Sequence, residues 1–185
     1  PIMLGHVRTD LAGFGAIGRI SSHLDRVSQG EVIIDASASN WFDANMIAPL
    51  AAVMEKARNK GVDARLSNFH PRVAEILSRN GYLSPSTEDV RGTTVRFQRF
   101  GKNDAVSFAE YTETNIRKQG FPTMSGQAMK AFLTGLDEIF SNAALHSRTT
   151  GSVFACGQAF PRVDRLRFTV ADAGVGIQAT VAEIA

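Results

Sequence analysis

One cysteine, one tryptophan and two tyrosines are all that the 185-residue chain holds of those types. A single thiol, Cys156, excludes a disulfide within the chain and suits a reducing cytosol. It stands in the apolar run SVFACGQAF, with no histidine or carboxylate at a recognisable spacing. That reads as a buried structural thiol, not a nucleophile. Excess charge is lacking too: 20 Lys and Arg against 18 Asp and Glu leave +2. The densest basic stretch, Arg91, Arg96, Arg99 and Lys102, reads as a solvated strand face and its flanks, so nucleic acid is not the expected partner. No apolar run reaches the ~18–20 residues of a membrane span. No basic-then-apolar leader opens the chain. These absences predict a cytoplasmic protein. The first residue is Pro1, not Met, which points to a processed, trimmed or incomplete N-terminus. What remains is a globular composition, 44% hydrophobic and 21% charged, long enough for one ordinary domain or two small ones.

Along the chain, residues 11–28 read as a loop or turn leading into a short helix. EVIIDAS, 31–37, reads as a buried strand. Residues 41–61 read as an amphipathic helix with Met46, Leu50, Val53, Met54 and Ala57 apolar, stopped by Gly61. VDARLS, 62–67, alternates as a strand does. Pro71 opens a helix that Gly81 ends. Residues 82–92 are rich in turn formers and mark a domain boundary, giving units 1–90 and 91–185. TTVRFQRF, 93–100, has period two. Helices are expected over 104–119, with Val106, Ala109, Tyr111 and Ile116 as apolar contacts, and over 126–146. GSVFACGQAF and RLRFTVAD read as two strands joined by the hairpin-length loop PRVD. The overall class is α+β.

Two motifs carry chemistry. In LDEIFSNAALHS, the polar residues Glu138, Asn142 and His146 recur every fourth position beside the apolar face Met129, Phe132, Leu136, Ile139, Phe140 and Ala143. They read as a border stripe able to reach a cleft. After the last strand comes Asp172-Ala-Gly174-Val-Gly176-Ile. An acid at a strand end followed by two glycines makes a loop that a ligand can approach closely, and its carboxylate can accept a hydrogen bond from an exocyclic amine. Each motif is weak by itself; in this order they form a specific conjunction.

Together they resemble the N box and first glycine box of the GHKL ATPases, with their Bergerat α/β sandwich, and most of all the anti-sigma-factor serine kinases. The resemblance covers residues 93–185. It implies Glu138 as general base and Asn142 holding Mg²⁺ against the phosphates of ATP. It also implies Asp172 reading the adenine amine, with Gly174 and Gly176 allowing close approach. A carboxylate beside phosphates can take a proton from a nucleophile, and Mg²⁺ prefers oxygen donors. The family's lid and second glycine box lie downstream of the first, and Ala185 comes nine residues after Gly176. The expectation is therefore an incomplete sandwich from a longer protein.

EVIIDASASNWFDANMIAPL resembles the STAS domain of anti-sigma-factor antagonists over roughly residues 1–85. Asp43-Ala44-Asn45-Met46 stands where that family has D-S-S-G, so the phosphorylatable serine is replaced and Asn45 is expected to cap the helix. GFGAIG, 13–18, matches G-x-G-x-x-G literally. HVRTDLA before it is a poor buried strand, so a dinucleotide site is not expected.

The expected function is an ATP-binding regulatory protein of bacterial signalling, whether protein-serine kinase, ATPase or nucleotide switch, with a protein partner. No histidine-bearing helical hairpin precedes the N box, which argues against a histidine kinase. The alternative is a non-enzymatic STAS-type interaction module with a degenerate nucleotide site.

Overall fold

A computed structural model describes residues 1–84, 89–117, 121–146 and 151–174. Its first sheet holds three parallel strands in the order β1 (Ile2–Met3), β2 (Gly30–Asp35) and β3 (Val62–Ser67). Parallel neighbours need crossovers. Helices α1 (Leu11–Leu24) and α2 (Ile47–Arg58) supply them, and α3 (Pro71–Arg79) follows β3. Ile34, Val62 and Ala64 of the sheet are buried with Ile17, Ile20 and Leu24 of α1, Leu50 and Met54 of α2, and Val73 and Leu77 of α3.

Two expectations change here. The segment 11–28 is not a loop before a short helix. It is 14 residues of helix starting at Leu11, because the Asp10 carboxylate caps it by accepting from the Gly13 amide at 2.9 Å. Gly13, Gly15 and Gly18 are thus helical positions, and no strand runs into them, which removes the dinucleotide loop. Nor is β2 buried throughout: Ile33 is 51% exposed, because the helices cover only the sheet face that carries Ile34.

The second sheet is antiparallel, in the order β4 (Thr94–Phe100), β5 (Val153–Phe160) and β6 (Arg165–Asp172). A short 3-10 turn, Pro161–Val163, and Asp164 in the left-handed region (φ 47°) join β5 to β6. Helices α4 (Ala105–Ile116) and α5 (Gly126–His146) lie on one face. The α5 bounds are those the sequence predicts. Val106 is an exposed position of α4, not an apolar contact, whereas Phe108, Tyr111 and Ile116 are buried.

The pleat sends alternate residues of β5 into two cores. Val153 and Ala155 meet Phe108, Leu136 and Phe140 under α4 and α5. Phe154 and Cys156 join the core of the first unit. The second sheet is therefore covered by its own helices on one face and by α2 and the turn before it on the other.

Candidate functional site

Of the predicted residues, Glu138 and Asn142 lie on α5, and Asp172 and Gly174 lie at the end of β6. Asp172 is the last residue of β6 and pairs with Val153, the first of β5, just beyond the connection from the C-terminal end of α5. In β6, Leu166, Phe168 and Val170 pack beneath α4 and α5. Asp172 is next in that row, so the pleat assigns it to the helix-covered face. Its Oδ1 accepts from the Gly174 amide at 2.6 Å, a local turn that holds an exposed carboxylate at the strand end. Gly176 lies outside the described residues.

Glu138 and Asn142 are exposed on α5. The border reading of this stripe does not hold. The buried line of α5 is Leu136, Phe140 and Ala144. At 100° per residue, both polar residues then fall about 160° from Phe140, on the outward surface. Ile139, expected on the apolar face, is half exposed. The preceding acid, Asp137, borders a cleft of about 360 Å³ with Arg117 and Lys130, and burial raises its carboxyl above the usual range. Among the described residues no group of three His, Cys, Asp or Glu could hold a metal ion.

Sequence reasoning missed the polar junction between the two units. It centres on the 3-10 turn Ala44–Met46 at the start of α2, where Ala44, Asn45 and Met46 are all buried. The Asp43 carboxylate accepts from the Thr9 amide (2.7 Å), the Thr9 hydroxyl (2.8 Å) and the Trp41 indole (2.9 Å), and pairs with Arg167 of β6 at 2.6 Å. Asn45 does not cap the helix. Its amide nitrogen donates to the Thr169 hydroxyl of β6 at 3.0 Å, and its oxygen accepts from Thr9 at 3.0 Å. Further along α2, the buried Glu55 pairs with Arg99 of β4 at 2.8 Å and accepts from the Ser152 amide at 2.6 Å. The one available signal was an acid, Glu55, inside the apolar stretch of α2. Its partners lie too far along the chain for periodicity to reveal.

Cys156 is fully buried at this junction, its sulfur 3.5 Å from the Ala44 carbonyl and 3.3 Å from that of Asn45. Burial pushes its thiol up to about 12. Reaction needs the thiolate and access. At pH 8 the native protein is expected to stay unreactive toward an aromatic disulfide reagent and to release one equivalent of thiol on denaturation. Fast titration of the native protein would show that the junction opens.

No helix among the described residues is long and apolar enough to cross a membrane. No curated protein and no solved structure matches the chain. The family model described as STAS domain matches residues 13–89, which take in most of α1, then β2, the buried turn, α2, β3 and α3. Such domains mediate protein interactions, and this supports a regulatory role in signalling. Residues 13–89 are thus a STAS domain, seated through the start of α2 on a second, antiparallel sheet.

Proposed function

We propose that the chain is an ATP-binding regulatory protein whose STAS domain is the protein-interaction half and whose residues 91–185 form the N-terminal part of a GHKL-type nucleotide site. The observation that carries the reading is Asp172: an exposed carboxylate closing β6, on the sheet face that α5 covers, turned back onto Gly174. In this reading Asp172 accepts from the adenine amine, and Gly174 and Gly176 let the ring approach. Asn142 offers an amide oxygen to Mg²⁺, and Glu138 is the general base of a kinase or ATPase step. With no acidic cluster among the described residues to hold a metal alone, Mg²⁺ would arrive on the nucleotide, phosphate oxygens completing its shell.

The test is Mg·ADP binding by calorimetry on this chain and on Asp172→Asn. ADP is the better probe because it leans less on groups around the γ-phosphate. Binding that Asp172→Asn loses by tenfold or more, about 1.4 kcal/mol or above, is the expected result. No binding to the parent chain, repeated on a chain extended past Ala185, would sink the reading.

A second reading is a STAS-type interaction module without nucleotide chemistry. It is favoured by the outward placement of Glu138 and Asn142, which leaves their carboxylate and amide on the surface of α5. It predicts that alanine at both positions changes neither nucleotide affinity nor turnover.

A further inference from the structure

Strand β6 has two faces with two different duties. Arg167 and Thr169 bond to Asp43 and Asn45 of the STAS domain, while Ala171 and Ala173 pack on its core. Leu166, Phe168 and Val170 lie beneath α4 and α5, with Asp172 next in that row. Asp172 therefore stands between two alanines that are seated on the STAS domain. Only β5 pairs with β6 among the described residues. The position of the strand end is thus set by β5 at one edge and by the STAS domain below. A cleft of about 390 Å³ beside Ala171–Gly174 is walled on its other side by Pro49, Ala52 and Lys56 of α2.

We infer that the STAS domain is the supporting wall of the strand end that carries Asp172, so that its seating on β6 and nucleotide binding at Asp172–Gly174 are coupled. The inference rests on the nucleotide reading above. It adds a regulatory input: anything that lifts the start of α2 from the sheet weakens nucleotide binding, and bound nucleotide tightens the seat by the same factor, because coupling between two equilibria is reciprocal. The junction suits this duty. It is held by two ion pairs and a side-chain hydrogen bond as well as by apolar packing, and polar contacts between units within a chain make a separable seat.

The experiment uses the full chain. Mg·ADP is titrated into the parent protein, Arg167→Met and Thr169→Val, all of which keep Asp172, and hydrogen exchange over residues 47–58 is followed with and without Mg·ADP. The expected result is a loss of ADP affinity of about fivefold or more in Arg167→Met, the lower end of ordinary coupling. In the parent protein, ADP should slow exchange in α2. Should Arg167→Met fail to fold, the near-isosteric Thr169→Val carries the test with the same expected sign. Parental ADP affinity in the folded variants, with exchange in α2 indifferent to ADP, overturns the coupling and leaves the nucleotide reading standing. A parent chain that binds no ADP overturns both.

Discussion

Replacing Phe140 by alanine is expected to lower the stability of the second unit by about 3–5 kcal/mol, the range for emptying a buried aromatic site. Phe140 is 1% exposed. Its ring stacks on Phe108 at 4.4 Å between centroids and meets Phe100 edge-on at 5.9 Å. Phe100 in turn meets Phe108 and Tyr111 edge-on, so the four rings form one cluster between β4, α4 and α5. Truncation removes transferred area and ring contacts together, and a neighbour that is itself aromatic cannot collapse into the gap. Ile139→Ala, one position earlier but half exposed, is expected to cost under about 0.5 kcal/mol. Urea unfolding followed by far-ultraviolet circular dichroism reads both. The single tryptophan, Trp41, lies in the STAS domain and reports that half separately. If the two units unfold together, Phe140→Ala shifts the Trp41 transition as well; if they are independent, only the dichroism shifts. A Phe140→Ala protein with parental stability would mean that the cluster is not the core of this unit.

Much of this architecture is legible in the sequence wherever local pattern and local punctuation agree. VDARLS is a strand, α3 begins at Pro71, and α5 runs over 126–146, where apolar spacing is long enough to dominate. PRVD sits at the β5–β6 connection, with Asp164 taking the left-handed conformation that closes it. Misreadings arise where one local signal masks another. Three glycines hid α1, although Asp10 supplied a cap three residues before the first of them. EVIIDAS has the composition of a strand buried on both faces, but a sheet with helices on one face leaves Ile33 outside. On α5, taking Ile139 as buried tilted the apolar face by about 50°, and this made Glu138 and Asn142 look like border residues. Of the junction, only Glu55 inside the apolar stretch of α2 showed, and its partners did not. Asp43 and Arg167 are 124 positions apart, and no periodicity encodes a pairing between two sheets. Of the candidate site, the sequence carried the residue types and their order. Where Asp172 faces had to come from the register of β5 on β6.

Two of these glycines give the second large effect, and they give it with opposite signs inside one helix. Gly13 is buried in the first turn of α1, and a Cβ built on it would lie 1.9 Å from the Arg8 carbonyl oxygen, 2.7 Å from the Arg8 nitrogen and 2.9 Å from the Arg8 carbonyl carbon. All three are backbone atoms, so no side chain can swing aside. The segment they belong to is also pinned. Val7 is fully buried and bridges Phe42, its amide donates to the Trp41 carbonyl at 3.0 Å, and the Asp10 cap depends on the Gly13 amide. Gly13→Ala must move either this strand-like segment or the start of the helix. The expected loss is about 2–4 kcal/mol, overpacking together with part of a cap. At Gly18 an added Cβ meets nothing within 4 Å, and the residue is exposed in mid-helix. Gly18→Ala is therefore expected to stabilise by about 0.5–1 kcal/mol, the helix-propensity difference. Thermal or urea unfolding watched through Trp41 measures both, since that ring packs beside Arg8, with the Arg8 guanidinium carbon 5.9 Å from its centroid. Were the glycines instead a ligand-binding loop, both substitutions would leave stability nearly unchanged. Were they only helix filler, both would stabilise. Opposite signs are the signature of a capped helix whose first turn is pressed against the backbone of residue 8.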